Sequence, residues 1–256
     1  MKIVTWNVNS VNARLPNITD WIQEHDPDVV LLQELKCMDD GFPAQEFEGI
    51  GYKAAVFGQK SWNGVAILSK HDIKDIMRGL PGDNEDVQSR YIEATINGVR
   101  IASIYLPNGN PVDTEKYPYK LNWMTRLKDH AAALLKSEIP VVLGGDYNII
   151  PEGRDCYNPE NWKDDALFKL ESRQHFRAIL NLGYTEAFRT LNPDTVAYTF
   201  WDYQAGRWHN DQGIRIDHFL LSPQATDMVQ TCTVDKTPRG EKKASDHVPV
   251  ILELKS

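Results

Sequence analysis

Two stretches constrain the fold more than any other: Asp28-Val29-Val30-Leu31-Leu32-Gln33-Glu34 and Pro140-Val141-Val142-Leu143-Gly144-Gly145-Asp146. A strand wetted on one face alternates apolar and polar residues, whereas a run apolar at every position needs cover on both faces. Each run therefore belongs inside a sheet with further layers above and below. Each also ends on a carboxylate, so the chain leaves the core at an acid.

The remaining pattern supplies the other strands. Residues 2 to 8 alternate and are β-rich, and further strands are expected at 52–57, 64–69, 73–78, 196–201, 214–221, 228–234 and 248–254. Asn97-Gly98 between the alternating runs 91–96 and 99–105 is a hairpin signal, because both turn positions of a tight hairpin favour residues that tolerate positive φ. Helices are expected after Ser10 or Asn12 as cap, with Ile18, Trp21 and Ile22 on one face up to His25-Asp26-Pro27, and at 114–136 and 172–182. Many strands with few helices and a hairpin do not suit one doubly wound parallel sheet. An α/β fold of two mixed sheets packed face to face, with helices outside, fits better. Nothing resembles a linker, so 1–256 is expected to be a single domain, with 152–170 a long loop of the kind that carries function.

Composition narrows the setting. At 256 residues and 41% hydrophobic the chain can bury a large core, and no segment approaches the roughly twenty apolar residues of a membrane span. The opening residues enter a strand without a signal-peptide pattern, and Cys37, Cys156 and Cys232 are scattered with no metal or redox spacing, so a cytoplasmic protein with free thiols is expected. The net charge of -8 counts against nucleic acid, which favours a basic footprint. It counts less if carboxylates converge on a metal ion, where they do not face phosphates unneutralised.

Such convergence is suggested by the strand ends. Asn7 and Asn9 follow the first strand, Glu34 the second, Asp146 and Asn148 the run after Pro140, and Asp246-His247 precede the last strand; Asp217 sits inside an apolar one. Oxygen donors without cysteines or paired histidines suit a hard cation, magnesium or manganese. The same groups suit phosphoryl transfer, in which a carboxylate activates water and a histidine, oriented by a second acid, bonds the phosphate. Singly, each has a plain structural role: Asn7, Asn9, Asp146 and Asn148 as turn or cap residues, Glu34 as a solvated strand end, His247 as a core histidine. Asp217 is costly to bury without a partner. The constellation carries the inference.

Eight segments in order across the chain then resemble the exonuclease III and AP endonuclease family within the deoxyribonuclease I-like superfamily. They are Thr5-Trp6-Asn7-Val8-Asn9, Leu32-Gln33-Glu34-Leu35-Lys36, Gly58-Gln59-Lys60 with Gly64-Val65-Ala66-Ile67-Leu68, Tyr105-Leu106-Pro107-Asn108-Gly109, Gly144-Gly145-Asp146-Tyr147-Asn148-Ile149, Thr199-Phe200-Trp201-Asp202-Tyr203, Gly213-Ile214-Arg215-Ile216-Asp217 and Ser245-Asp246-His247-Val248-Pro249. The resemblance implies a four-layered α/β sandwich with its site where the loops of the two sheets meet. It implies Glu34 as principal metal ligand with Asn7, Asp246 and Asn9 nearby, Asp146 positioning water, Asn148 orienting water or phosphate, and His247 held by Asp217. Tyr105 and Asn108 would contact the phosphate or leaving group. Phe200, Trp201 and Ile214 would border the pocket for an abasic sugar or terminal nucleotide, and Lys60, Arg90 and Lys120 would contact substrate. Some AP endonucleases carry tryptophan in place of Ile214; exonuclease III has an aliphatic residue there.

The implied activity is a magnesium-dependent DNA repair phosphodiesterase: an AP endonuclease with 3′-5′ exonuclease and 3′-phosphatase activity on double-stranded DNA, with manganese a substitute and a monomer the default. The alternative is a 3′-end-processing enzyme with little abasic-site incision, since Trp162, Leu167 and Phe168 of the 152–170 loop can obstruct a continuous strand. Lys236, Arg239, Lys242 and Lys243 are expected to form a basic patch beside the site. A non-catalytic DNA-binding protein on the same fold would lack some of these ligands, and none is missing.

Overall fold

The computed structural model describes residues 1–255. In chain order its elements are β1 (Lys2–Asn7), α1 (Leu15–His25), β2 (Val29–Gln33), α2 (Ala44–Gly49), β3 (Lys53–Phe57), β4 (Val65–Ser69), β5 (Lys74–Arg78), β6 (Tyr91–Ile96), β7 (Val99–Tyr105), α3 (Lys116–Leu135) and β8 (Val141–Asp146). There follow α4 (Leu170–Leu180), β9 (Thr185–Glu186), α5 (Ala187–Leu191), β10 (Asp217–Leu221), α6 (Pro223–Thr226), β11 (Val229–Val234) and β12 (Val250–Leu254). They form two six-stranded sheets, ordered β11-β12-β1-β2-β4-β3 and β5-β6-β7-β8-β10-β9. Both are mixed: β1–β2 and β7–β8 are parallel, and the remaining pairs are antiparallel.

The two apolar runs are inner strands, as expected. Val29 and Leu31 face the other sheet, packing in a cluster with Ile92, Ile101, Val142 and Phe219. Their neighbours Val30 and Leu32 face outward and are covered by Ile18, Trp21, Ile22 and Phe47 from α1 and α2. On the far side Trp123, Met124 and Leu127 of α3 and Phe176 and Ile179 of α4 cover Tyr91, Ile104, Val141 and Leu143. The result is helices, sheet, sheet, helices: the four-layered α/β sandwich. At roughly 1.5–3 kcal/mol for each fully buried large aliphatic or aromatic side chain, burial on both faces of each sheet dominates the stability.

Glycines set the sheet spacing near the site. A Cβ on Gly144 would lie 2.5 Å from Phe219 Cε1 and 2.7 Å from Leu31 Cδ1, so its bare backbone lets the neighbouring strand's phenyl ring and the opposite sheet close in. A Cβ on Gly145 would lie 2.0 Å from the Ile104 carbonyl oxygen, which no side-chain movement relieves. Asp146 follows immediately.

Several local expectations are corrected. Neither Ser10 nor Asn12 caps α1: the helix starts after Arg14 with Pro16 in its first turn and no side-chain cap. The backbone of Ser10 and Val11 instead bonds to the carbonyls of Glu34 and Leu35, extending the β1–β2 pairing past the strand ends. Residues 196–201 form no strand, because their backbone is divided between two partners: Thr199 and Phe200 donate to the Ile214 carbonyl, Trp201 to that of Asp246. The strand expected from 214 begins only at Asp217, since Ile214 bridges Cys156 and Phe200 and the Arg215 amide bonds to the Asp155 carbonyl. The hairpin is as expected, with Asn97 at φ 49 and Gly98 at φ 80 between Ile96 and Val99.

Candidate active site

The C-terminal ends of β1, β2, β7 and β8 meet at one edge of the sandwich, and the segment before β12 folds over them. Ser245 Oγ donates to the Asn7 carbonyl oxygen at 2.7 Å, and Trp6 Nε1 donates to that of His247 at 3.1 Å, fastening this segment to β1. Single carboxylate or imidazole atoms of Glu34, Asp146 and His247 thereby come within 4.8 Å of one another.

Asn7 is fully buried between the acids, its Nδ2 donating to Glu34 Oε1 and to Asp146 Oδ2, both at 2.9 Å. Its Oδ1 is turned to the Asn9 amide at 3.1 Å. Asn7 thus bridges the two carboxylates through its amide nitrogen. Burial opposes ionisation of Glu34, but the Asn7 amide, Lys36 and His247 outweigh it and hold its carboxyl below the usual range. Lys36 Nζ lies 2.9 Å from Glu34 Oε2 and also bonds Asn9 Oδ1. Asn9 donates to Asp246 Oδ1 at 3.1 Å, which brings Asp246 to the rim of the cluster.

His247 stands between two of the acids. Its Nδ1 bonds Asp217 Oδ2 at 2.9 Å, and its Nε2 stands 3.7 Å from Asp146 Oδ2. Burial disfavours the imidazolium, yet the charges of Asp217 and Asp146 overcome it and push His247 up to about 10. Burial in turn pushes Asp146 up to about 7, against the pull of His247 and the hydrogen bonds from Asn7 and the Asn148 amide. At neutral pH the pair thus offers a hydrogen-bond donor at His247 and a carboxyl at Asp146 poised to exchange a proton. Thr199 Oγ1 accepts from the amides of Ile216 and Asp217, fixing the start of β10 so that Asp217 faces His247.

Tyr105 donates its hydroxyl to Glu34 Oε1 at 2.9 Å; burial, then Glu34, keep it firmly protonated. Arg90 lies over the Tyr105 ring at 4.8 Å. Asn108 Nδ2 donates to Asn148 Oδ1 at 3.1 Å, and Asn148 Nδ2 to the Leu106 carbonyl at 2.9 Å, tying the β7 and β8 exits together. Glu34 and Asn148 both adopt positive φ, 53 and 47. Non-glycine residues held there are strained by an amount of order 1–3 kcal/mol, and such strain gathers where side chains must be aimed.

Above the cluster opens a recess of about 310 Å³ lined by Phe200, Ile214, Trp162, Leu167 and Asp165 together with Asp146, Asn148, Asp246 and His247. Beside it runs a wider groove of about 730 Å³ bordered by Lys36, Trp62, Arg90, Lys116 and Tyr119. The 152–170 loop supplies one wall of the recess. Of its three bulky side chains only Trp162 is half exposed; Leu167 and Phe168 are packed with Ile150, Cys156 and Ile216.

Three of the expected substrate contacts lie outside the lining of both cavities. Trp201 is wholly buried and donates to Asp211 Oδ1, so it underlies the 202–211 loop rather than bordering the recess. Lys120 is also wholly buried, its ammonium bonded to backbone carbonyls, and burial draws it down to about 7. Lys60 is exposed on the loop before β4, outside the lining of both cavities. The basic patch is thinner than its sequence: Lys236 pairs with Asp211 at 2.9 Å, and Arg239 is buried against Tyr203 and Trp208, leaving Lys242 and Lys243 exposed.

Sequence reasoning missed Thr199 and Asn7's bridging role, and gave Lys36 no role at the site. It also missed the buried ion network behind the recess, where Arg215 bonds Asp155 Oδ1 and Glu186 Oε1, each at 2.8 Å. A signal existed for the last: Arg215 stands between Ile214 and Ile216, where a cation needs acids.

Residues 4–247 match the Endonuclease/Exonuclease/phosphatase family. The exodeoxyribonuclease III of Haemophilus influenzae is 32% identical over the full length of both chains. Among solved structures, an AP endonuclease from Archaeoglobus fulgidus is 35% identical with a TM-score of 0.96 over the whole of both chains. The 3′ phosphatase NExo from Neisseria, bound to a product DNA hairpin, is 38% identical with a TM-score of 0.98, again over the whole of both chains.

Proposed function

We propose that this chain, which belongs to the Endonuclease/Exonuclease/phosphatase family, is a magnesium-dependent hydrolase of phosphate esters in damaged DNA. It is a nuclease by kinship, similar end to end to an exodeoxyribonuclease III and to an AP endonuclease. The observation that carries the reading is the meeting of Glu34, Asp146 and His247 within 4.8 Å, beneath a recess that opens on a partly cationic groove.

The donor set fits a hard divalent cation: carboxylates of Glu34 and Asp246 with no thiol, and an Asn7 amide between Glu34 and Asp146. Glu34 would be the principal ligand with Asn7 and Asp246 helping, and Asn9, bonded to Asp246, near the same ion. When bound, magnesium would neutralise charge on the phosphate and leaving oxygens. The protein groups do the rest. Asp146 aligns the attacking water and takes its proton, His247 donates to a non-bridging phosphate oxygen, and Asp217 fixes the imidazole through Nδ1. Tyr105 and Asn108 stand where they can donate to the phosphate or the departing oxygen. Phe200 and Ile214 present an apolar wall to a sugar without a base, or to a terminal nucleotide, and Arg90 and Lys116 can meet backbone phosphates along the groove.

The substrates proposed are abasic sites and blocked or recessed 3′ ends in duplex DNA, handled by a cytoplasmic monomer acting as a single domain, with manganese able to replace magnesium. Among the described residues no helix is long and apolar enough to cross a membrane. A narrower reading, 3′-end processing with little abasic incision, is favoured by Trp162 at the recess wall and by the likeness to the 3′ phosphatase. A duplex with an internal abasic analogue and one with a 3′-phosphate, each assayed with magnesium and with chelator, separate the possibilities. Cleavage of both supports the first reading and release of phosphate alone the second. Undiminished activity under chelator would sink the metal assignment.

A further inference from the structure

Lys120, on the buried face of α3, is wholly buried, yet among the described residues no carboxylate pairs with it. An ammonium taken out of water without an acid is costly, and a methionine would fill the space without that cost. What offsets it is two hydrogen bonds, from Nζ to the carbonyl oxygens of Asn108 at 3.0 Å and Asn148 at 2.6 Å. These are the two residues whose side chains meet at the site, Asn108 Nδ2 donating to Asn148 Oδ1 at 3.1 Å. The chain is wrapped tightly on the lysine stem between them: a Cβ at Gly109 would stand 2.6 Å from Lys120 Cδ. A protonated or a neutral amine has at least two N–H donors, so two carbonyls can be held in either state.

We infer that Lys120 is a positioning residue for phosphate ester hydrolysis, joining the exits of β7 and β8 from behind so that Asn108 and Asn148 meet the phosphate as a unit. It does not touch DNA. The inference rests on the reading of Asn108 and Asn148 as groups that handle the phosphate, and its test keeps the two apart. Turnover of a 3′-phosphate duplex with saturating magnesium is measured for Lys120→Met, Asn148→Ala and the double variant, with KM and urea midpoints alongside.

Lys120→Met is expected to lower kcat about 10²-fold, the scale of a misplacement near 1 Å, with KM within about threefold. In the Asn148→Ala background the same substitution should change kcat less than about threefold, because residues acting through one another are not additive. An equal loss in both backgrounds, or wild-type kcat in Lys120→Met, overturns the positioning role. Wild-type kcat in Asn148→Ala removes the reading of the site and the inference with it. If Lys120→Met does not fold, Lys120→Gln, which retains a donor for one carbonyl, is carried through the same cycle with the same criteria.

Discussion

Replacing Arg215 with methionine tests the ion network that supports one wall of the recess. Arg215 is 1% exposed and bonds Glu186 and Asp155, which are 7% and 0% exposed. Burial raises the Glu186 carboxyl, but Arg215 and then His218 more than compensate and hold it at about 2 against 4.5 in the unfolded chain. That difference corresponds to about 3 kcal/mol of stability, at about 1.4 kcal/mol per pH unit. Because the folded value is depressed, this contribution is complete above pH 4.5 and is lost as the pH falls through about 2. Asp155 keeps Arg189 at 2.8 Å, so it is weakened rather than abandoned. Removing one partner of a buried pair costs about 3–5 kcal/mol, which brackets the same figure. Arg215→Met should therefore be less stable by about 4 kcal/mol at pH 7, and the deficit should shrink towards pH 3 as the stranded carboxyls take up protons. Urea unfolding followed by tryptophan fluorescence at pH 7, 5 and 3.5 measures both. A deficit below about 1 kcal/mol at pH 7, or one that grows on acidification, refutes the reasoning.

Three further outcomes are expected. Asp217→Asn removes the anion at His247 Nδ1 and should lower kcat about 10³-fold or more with little change in KM, while the His247 titration followed by NMR moves down from about 10. Glu34→Gln should weaken magnesium binding in calorimetry by about tenfold or more and leave the thermal midpoint within a few degrees; unchanged affinity would place the metal elsewhere. Gly145→Ala sets a Cβ 2.0 Å from the Ile104 carbonyl oxygen and should destabilise the protein by more than about 3 kcal/mol, read from its urea midpoint, whereas the same change at Gly240 meets no atom within 4 Å.

The fold was legible wherever burial leaves a periodic mark. Val29–Leu32 and Val141–Leu143 announce inner strands because each face must be covered, and Asn97-Gly98 announces its hairpin because both positions need positive φ. Residues 196–201 read as a strand by composition but divide their backbone bonds between Ile214 and Asp246, and no local pattern records which partner a distant segment will find. The first helix was misplaced at its start. Ser10 is a good cap by type, but its Oγ accepts from the Ala13 amide in the turn ahead of the helix, which starts only after Arg14.

The site divides along the same line. An acid that ends a run apolar on both faces can only emerge at a sheet edge, so Glu34 and Asp146 were legible one at a time, and Asp217 was legible because a lone buried carboxylate requires a partner. How they meet depends on the distance between the sheets, and that distance is permitted by the bare backbone of Gly144, against which Phe219 and Leu31 close. With the sheets so close, the Asn7 amide reaches both Glu34 and Asp146 and bridges the two carboxylates, a meeting that no local pattern records. Lys120 follows the same rule: type and position suggested a phosphate contact, and only its burial beneath Gly109 turns it inward to the backbone. Residue type thus announces the chemistry available at a strand end, while the spacing of the layers decides which atom of each side chain faces the substrate.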